Sequence, residues 1–332
     1  MRMPSLKSLT MPTLAGFAAL GILVQAAQAN CPRGDLDQRY CDHDGDLVAD
    51  APTDPSRWVD PDTLIFGFSR GRDPAVYRDA WSDFLEHMGN VTGKKVLFFP
   101  APSSPALIEA MRLGQLHVAG MTTGANALAV NCAGYVSFAM MASLNGDYGY
   151  SMEILTYPGS GIEAVEDIKG RTLAFTSPSS NSGFKAPLAL LESEFDLMPN
   201  RDFKTTFSGD HDSSILGVAN KDYDAAAIAN QVKFHMIKRE VIKEEDTVVL
   251  YRSEKFPTTS YGHVYNLKPE LAEKVKQSFM SFQWEKPDGS PTSLKLEFSK
   301  SDEGQFIPIT YKEHWNVVRK IDATNNLSYV CN

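Results

Sequence analysis

Histidine is scarce in this chain, seven residues in 332, and no two of them stand close together. Catalytic metal centres draw on spaced His and Cys clusters, so such a centre is excluded. Also missing are Gly-x-x-x-x-Gly-Lys-Ser/Thr, Gly-x-Gly-x-x-Gly, His-Glu-x-x-His and the nucleophile elbow Gly-x-Ser-x-Gly. Without them there is no sign of phosphate-loop, dinucleotide, zinc-protease or α/β-hydrolase chemistry. His211-Asp212 is the nearest approach to an acid–base pair, and a lone dipeptide of that kind carries little. Basic residues are outnumbered, 32 Lys and Arg against 41 Asp and Glu, for a net charge of −9. Nucleic acid and anionic lipid are thereby disfavoured as partners. An anionic ligand would have to be held by local dipoles against the overall field. Beyond residue 29 no apolar run reaches the ~20 residues of a membrane helix. The expectation is a binding protein rather than an enzyme, with no cofactor needed for its function.

The chain opens like a secretion signal: Arg2 and Lys7, an apolar run over 13–24, then Ala27-Gln28-Ala29. The mature chain would start at Asn30, and its lack of a small residue before Cys31 argues against a lipoprotein. Cysteine is sparse, and all four residues follow that point: Cys31, Cys41, Cys132 and Cys331. An even count in an exported chain suggests disulfides. Cys31 and Cys41 bracket a short loop, which leaves Cys132 and Cys331 for each other. A free Cys132, able to ligate arsenite, is the alternative. Between Cys41 and the Pro-marked linker lies Asp42-His43-Asp44-Gly45-Asp46-Leu47-Val48-Ala49-Asp50. Alternate carboxylates around a turning Gly can wrap a hard cation, and the pattern resembles the calcium loops of thrombospondin type 3 repeats. Asp42, Asp44, Asp46 and Asp50 are the expected ligands, with Asp35 and Asp37 as possible additions. The role would be structural, and an acidic solvated linker is the alternative.

From residue 63 strands and helices alternate, which predicts α/β lobes with mainly parallel sheets. Strands are expected at 64–68, 95–99, 115–119, 150–156, 172–175, 203–207 and 224–228. Those at 247–251 and 260–265 are expected to return to the first lobe. Ser104, before Pro105, reads as a helix cap. Residues 1–29 would be the signal, 30–61 the extension and linker, 62–149 with 256–332 lobe 1, and 150–255 lobe 2. In such sheets ligands bind at the carboxyl ends of strands. Ser69, Arg70, Thr122 and Thr123 fall at such ends, Tyr150 opens a strand and Asn230 follows one.

The richest stretch is Phe175-Thr176-Ser177-Pro178-Ser179-Ser180-Asn181-Ser182-Gly183-Phe184-Lys185, between a strand and a helix. Ser and Asn cap helix starts, and a helix start offers free N–H groups and a positive dipole end. A second such turn, Ser208-Gly209-Asp210-His211-Asp212-Ser213-Ser214, follows the next strand. Two hydroxyl-rich turns at adjacent strand ends would converge on one anion.

Asp167-Ile168-Lys169-Gly170-Arg171-Thr172-Leu173-Ala174-Phe175, the serine turn after it, the His211 turn and Phe306-Ile307-Pro308-Ile309-Thr310 together resemble phosphonate-binding proteins. The resemblance runs over about 63–321. It implies a type II periplasmic binding fold, two α/β lobes joined by a two-strand hinge with ligand in the cleft. It also implies a monomer in the periplasm that hands its ligand to an ABC transporter permease. Carried over, it gives Ser180, Asn181, Ser182 and His211 as ligand residues, joined by Ser69, Thr122, Thr123, Tyr150 and Asn230. Asn181 stands where a Thr is common in that family. The family's aromatic residues at the first-lobe strand ends are replaced by Phe68-Ser69-Arg70 and Thr122-Thr123-Gly124. The family implies a phosphonate-like ligand, and the smaller, more polar walls favour a small oxyanion such as phosphite, phosphate or an arsenic oxyanion over an alkylated aminophosphonate. An oxyanion sensor docking on a sensor kinase and a secreted phosphoester hydrolase using His211 are the competing readings.

Overall fold

A computed structural model describes residues 31–69, 74–298, 303–327, 329 and 331. The expected signal and Arg70 lie outside the described residues. Strands β1 (Thr63–Phe68), β2 (Lys95–Phe99), β3 (Val118–Met121), β4 (Tyr135–Ala142), β10 (Ser260–Val264) and β11 (Gln305–Pro308) form a six-stranded sheet, ordered β11-β4-β10-β3-β1-β2. Strands β5 (Tyr150–Thr156), β6 (Thr172–Phe175), β7 (Lys204–Phe207), β8 (Ala225–Ala229) and β9 (Val248–Phe256) form a five-stranded sheet, ordered β7-β6-β8-β5-β9. Chain passes from the first sheet to the second after β4 and returns after β9. This is the type II periplasmic binding architecture, two lobes with a cleft between them.

Burial explains the sheets. All of β3 and all of β8 are buried, as expected for strands covered by helices on both faces. The Ala-rich β8, Ala225-Ala226-Ala227-Ile228-Ala229, lets helices pack closely on both sides. Lobe 1 is centred on an aromatic cluster in which Phe66 and Trp81 lie 4.7 Å apart and Phe84 and Phe279 lie 4.6 Å apart, between ring centroids. Lobe 2 has one core around Ile154, Leu173, Phe175 and Leu191 and another around Ile215, Val218, Ile228 and Met236.

Several expectations need correction. The sheets are mixed: β1 pairs parallel with β2 and β3, while β10 pairs antiparallel with β3 and β4. In lobe 2, β6 pairs parallel with β7 and β8, while β5 pairs antiparallel with β8 and β9. Each antiparallel partner is a strand next to the crossing between lobes, where the chain reverses instead of winding through a helix. The third strand starts at Val118, because the helix Ser104–Arg112 ends in a Gly114 turn (φ 72°) that consumes 113–115. That helix is capped one residue earlier than expected, by Ser103. β9 belongs to lobe 2, held there by the buried Glu153 of β5, whose carboxylate meets Arg252 of β9 at 2.6 Å and Lys233 at 3.2 Å. β4, not anticipated from the sequence, is nearly all apolar and buried and carries the sheet toward β11.

Both disulfides join the expected pairs. Cys31–Cys41 spans 10 residues and Cys132–Cys331 spans 199. Cys132 is thus no free thiol, which overturns it as an arsenite ligand. The second bridge anchors a tail that follows the helix Asn316–Thr324, whose Val317 and Ile321 pack on lobe 2.

Candidate functional site

The serine turn is built as a helix start, with a twist. Ser180 has extended backbone and its Oγ accepts from Gly183 N at 3.0 Å. The residues after it, Asn181–Lys185, form a π-helical turn that runs into the α-helix Ala186–Phe195. Single π turns of this kind recur at functional sites. The turn is pressed against the end of β6: Thr176 N donates to Gly183 O at 3.0 Å. A Cβ on Gly183 would lie 2.0 Å from Thr176 Oγ1, so only glycine fits. Asn181 and Ser182 are buried, and Asn181 Nδ2 donates to the Tyr150 hydroxyl at 3.4 Å.

The second turn departs from expectation. Its helix, His211–Ala219, is capped by the Asp210 carboxylate, which accepts from Ser213 N at 2.7 Å, rather than by a hydroxyl. One N–H of that helix start is therefore already spent on an internal anion. His211 Nδ1 accepts from Ala229 N at 3.1 Å. The ring is then the neutral tautomer with its proton on Nε2. Burial pushes its pKa down to about 4, with Asp212 and Asp210 pulling weakly the other way. At neutral pH it can donate through Nε2 and has no free lone pair with which to act as a base.

These turns line one cavity of about 550 Å³ between the lobes. From lobe 2 it receives Tyr150, Thr176, Ser180, Asn181, Ser182 and His211; from lobe 1, Ser69, Ser104, Thr122, Thr123 and Gly124. Ser69 Oγ and Thr176 Oγ1 are buried and make no hydrogen bond among the described residues, and the same holds for Asn181 Oδ1. Such groups cost about 1–3 kcal/mol each when left unmet, and the two hydroxyls can donate to an anionic oxygen. Thr122 Oγ1 lies 3.2 Å from Ser104 Oγ. The Thr123 hydroxyl is turned away to Pro257 O at 2.8 Å. Asn230 is not among the lining residues: its Oδ1 accepts from Ser151 N at 2.8 Å, across β5.

Other lining residues were missed. Ser103 and Ser104 bring a further helix start to the cavity, and Thr258 and Thr259 come from the return between lobes. Ser103-Ser104-Pro105, just after β2, carries the signal for that helix start in the sequence: a hydroxyl pair beyond a strand end, before a first-turn proline. Tyr77 and Phe298 also line the cavity, so the lobe 1 wall is less bare of aromatics than the strand ends implied. Charged residues reach it as Asp210, Asp212, Arg239 and Glu297, with Arg239 paired to Asp212 at 3.2 Å; no lysine lines it among the described residues. The grip available to an anion is therefore chiefly hydroxyls, amides and the neutral imidazole of His211, with His235 also on the lining.

In the acidic loop, carboxylate oxygens of Asp42, Asp44 and Asp46 come within 4.8 Å of one another. Gly45 turns the chain with φ 72°. Asp50 is turned to His43, Oδ2 to Nδ1 at 2.6 Å, and Asp37 is held by Arg39 at 2.7 Å. Burial raises the Asp46 carboxyl above its usual range, and the charges of Asp44, Asp42 and Asp50 add to the rise. Three oxygen donors under mutual repulsion fit a hard cation.

Comparison with known proteins agrees with this fold. The model of the phosphonate periplasmic substrate-binding proteins of ABC transporters matches residues 66–312. The phosphonates-binding periplasmic protein of Escherichia coli is 27% identical over 255 residues, 74% of each chain. The phosphate-import protein PhnD of Mycolicibacterium smegmatis is 27% identical over 284 residues, 82% of this chain and 85% of that one. Among solved structures, PhnD1 of Prochlorococcus marinus in complex with methylphosphonate superposes with a TM-score of 0.68 at 16% identity, covering 82% of this chain and all (100%) of that one.

Proposed function

The chain belongs to the periplasmic phosphonate-binding family of ABC transporters, and we propose that it captures a small phosphorus oxyanion and delivers it to a membrane permease. Phosphonate, phosphite and phosphate are the candidate ligands. The observation that carries this reading is the cavity itself. Ser69 and Thr176, from opposite lobes, line it beside the capped turn Ser180–Ser182, and their buried hydroxyls have no partner among the described residues. In this reading Ser180, Ser182, Asn181 and the Nε2 of His211 donate from lobe 2, and Ser69 and Thr122 from lobe 1. Tyr150 positions Asn181. Hydrogen bonds to a charged group are the stronger kind, and ligand binding would favour a closed arrangement of the lobes. The lobes divide at 62–149 with 256–332 against 150–255. The protein acts as a monomer in the periplasm, exported by the signal at 1–29. The acidic loop holds a structural calcium ion on Asp42, Asp44 and Asp46. Hydrolysis through His211 is disfavoured, because its Nε2 carries the proton and cannot accept another.

A thermal-shift and calorimetry panel of methylphosphonate, aminoethylphosphonate, phosphite, phosphate, arsenate, arsenite and sulfate tests the reading. At least one phosphorus oxyanion should stabilise the protein, and Ser180→Ala/Ser182→Ala should abolish that shift. A panel without any phosphorus ligand, or unchanged affinity in the double variant, would overturn the assignment.

A further inference from the structure

Lysine is seldom buried unless paired, and Lys185, the last residue of the π-helical turn, is only 6% exposed at its side chain. Its ammonium does not reach into the cavity wall. It donates to Gly124 O, in the lobe 1 turn opposite, at 2.8 Å. It also meets Asp322 Oδ1 at 3.1 Å, and Asp322 is as deeply buried, 4% exposed. Asp322 accepts from the Tyr329 hydroxyl, and the Tyr329 ring lies 5.6 Å from Lys185 Nζ. The Lys185 carbonyl accepts from Asn325 Nδ2 at 2.8 Å. Asp322, Asn325 and Tyr329 all sit on the C-terminal segment, which is bonded through Cys331 to Cys132. Cys132 lies in the helix Asn126–Ala133, which begins two residues after Gly124. The contacts therefore close a ring: lobe 2 turn, lobe 1 turn, disulfide, tail, and back to the lobe 2 turn.

We propose that Lys185 is the positioning residue of the oxyanion site. It fixes the Ser180–Ser182 turn of lobe 2 against the Thr122–Gly124 turn of lobe 1, and the disulfide-anchored tail supplies the carboxylate that lets an ammonium be buried there. Stability alone does not account for the arrangement. A buried ion pair is rarely better for stability than well-packed apolar side chains of the same volume. What an apolar pair cannot supply is the directed N–H bond to Gly124 O. The backbones meet closely at that point: a Cβ on Gly124 would lie 2.4 Å from Ser179 O and 2.7 Å from Asn181 N. The effect on ligand rests on the oxyanion reading given above; the effect on the turn does not.

The test pairs Lys185→Met/Asp322→Leu, which removes both charges and keeps the volume, with Cys132→Ser/Cys331→Ser, which unties the tail and keeps the ion pair. Readouts are melting temperature, calorimetric affinity for methylphosphonate and phosphate, and hydrogen–deuterium exchange over 176–186. The apolar double variant should melt within a few degrees of the parent, yet bind at least tenfold more weakly and exchange at least tenfold faster over that segment. The serine double variant should move affinity and exchange the same way by a smaller factor. Parent-like exchange over 176–186 in both variants would overturn the positioning role. Should the apolar variant fail to fold, exchange in the serine variant decides. If the parent binds neither ligand, the functional reading fails, while exchange still decides the role of Lys185.

Discussion

Replacing Gly124 by Ala tests the cleft geometry with a single methyl group. Gly124 does not have positive φ, so Ala carries no backbone strain there and acts by volume alone. The new Cβ would sit 2.4 Å from Ser179 O, 2.7 Å from Asn181 N and 3.2 Å from Ser180 C, all of them backbone atoms. Ordinary contact begins near 3.4 Å, so the lobe 1 and lobe 2 turns must separate by about 1 Å. No side chain can swing aside to spare them. The separation acts on the segment that presents Ser180, Asn181 and Ser182 to the cavity. A hydrogen bond to a charged group contributes about 1.5–3 kcal/mol, and a shift of ~1 Å is enough to lose one. The expected loss in affinity for the bound oxyanion is therefore roughly 10- to 150-fold. Overpacking costs typically 1–3 kcal/mol, so the variant should still fold. Calorimetry of the parent and Gly124→Ala with the strongest ligand of the panel, beside their melting curves, decides. Affinity within twofold of the parent would refute a site in which these turns must stay in register.

Two further expectations concern pH and calcium. Burial holds His263 and His211 down at about 4. Both are neutral in the fold and gain a proton near 6.5 when unfolded, so their contribution is complete above pH 6.5 and is lost as pH falls toward 4. His263, 5% exposed, accounts for a loss on the order of 3 kcal/mol. Melting temperature should be flat from pH 8 to 6.5 and fall below it, ahead of any loss from carboxylates held below 3.8, such as Asp167 and Asp202; a curve flat to pH 4.5 would refute the assignment. Ligand affinity, corrected for the ligand's own ionisation, should not weaken as pH rises through 6.5, as it would if an imidazolium did the holding. For the acidic loop, a site with Kd about 0.1 mM should add roughly 2.7 kcal/mol at about 10 mM calcium. The melting temperature should rise by a few degrees over that in chelator, and Asp44→Asn/Asp46→Asn should abolish the rise; equal melting with calcium and with chelator would refute it.

The sequence was most informative where local chemistry and tertiary role coincide. Residues 172–175 and 150–156 emerge as β6 and β5 with the expected limits, because apolar runs bounded by Gly, Ser and Pro leave little choice of ends. The capped helix start expected in the serine turn is present, with Ser180 as its cap, since an N-cap is a property of four or five adjacent residues. What depends on partners far along the chain was not legible. β9 reads as four apolar residues, Val248-Val249-Leu250-Tyr251, followed by four polar ones, a pattern that names no sheet; its antiparallel pairing with β5 and the buried Glu153, 99 residues from Arg252, place it in lobe 2. The mixed pairing of both sheets follows from the two crossings between lobes, which no local pattern announces. At the site, residue types were readable and orientation was not. Thr122 and Thr123 are neighbours with the same hydroxyl, yet one lies beside Ser104 at the cavity and the other is spent on Pro257. Asn230 and Gln231 exchange roles in the same way, the amide expected at the ligand tying down Ser151 while its neighbour lines the cleft. Lys185 shows the limit most clearly. In sequence it is one basic residue after a glycine turn, of the kind that ordinarily points to solvent. The helix Asn316–Thr324, packed on lobe 2 through Val317 and Ile321, brings Asp322 across the molecule, and the tail held by the disulfide to Cys331 sets Tyr329 beside it, so that a buried ammonium has a carboxylate, a ring and a carbonyl to meet. The clamp is thus written locally, and its alignment with the opposite lobe is written in the last residues of the chain.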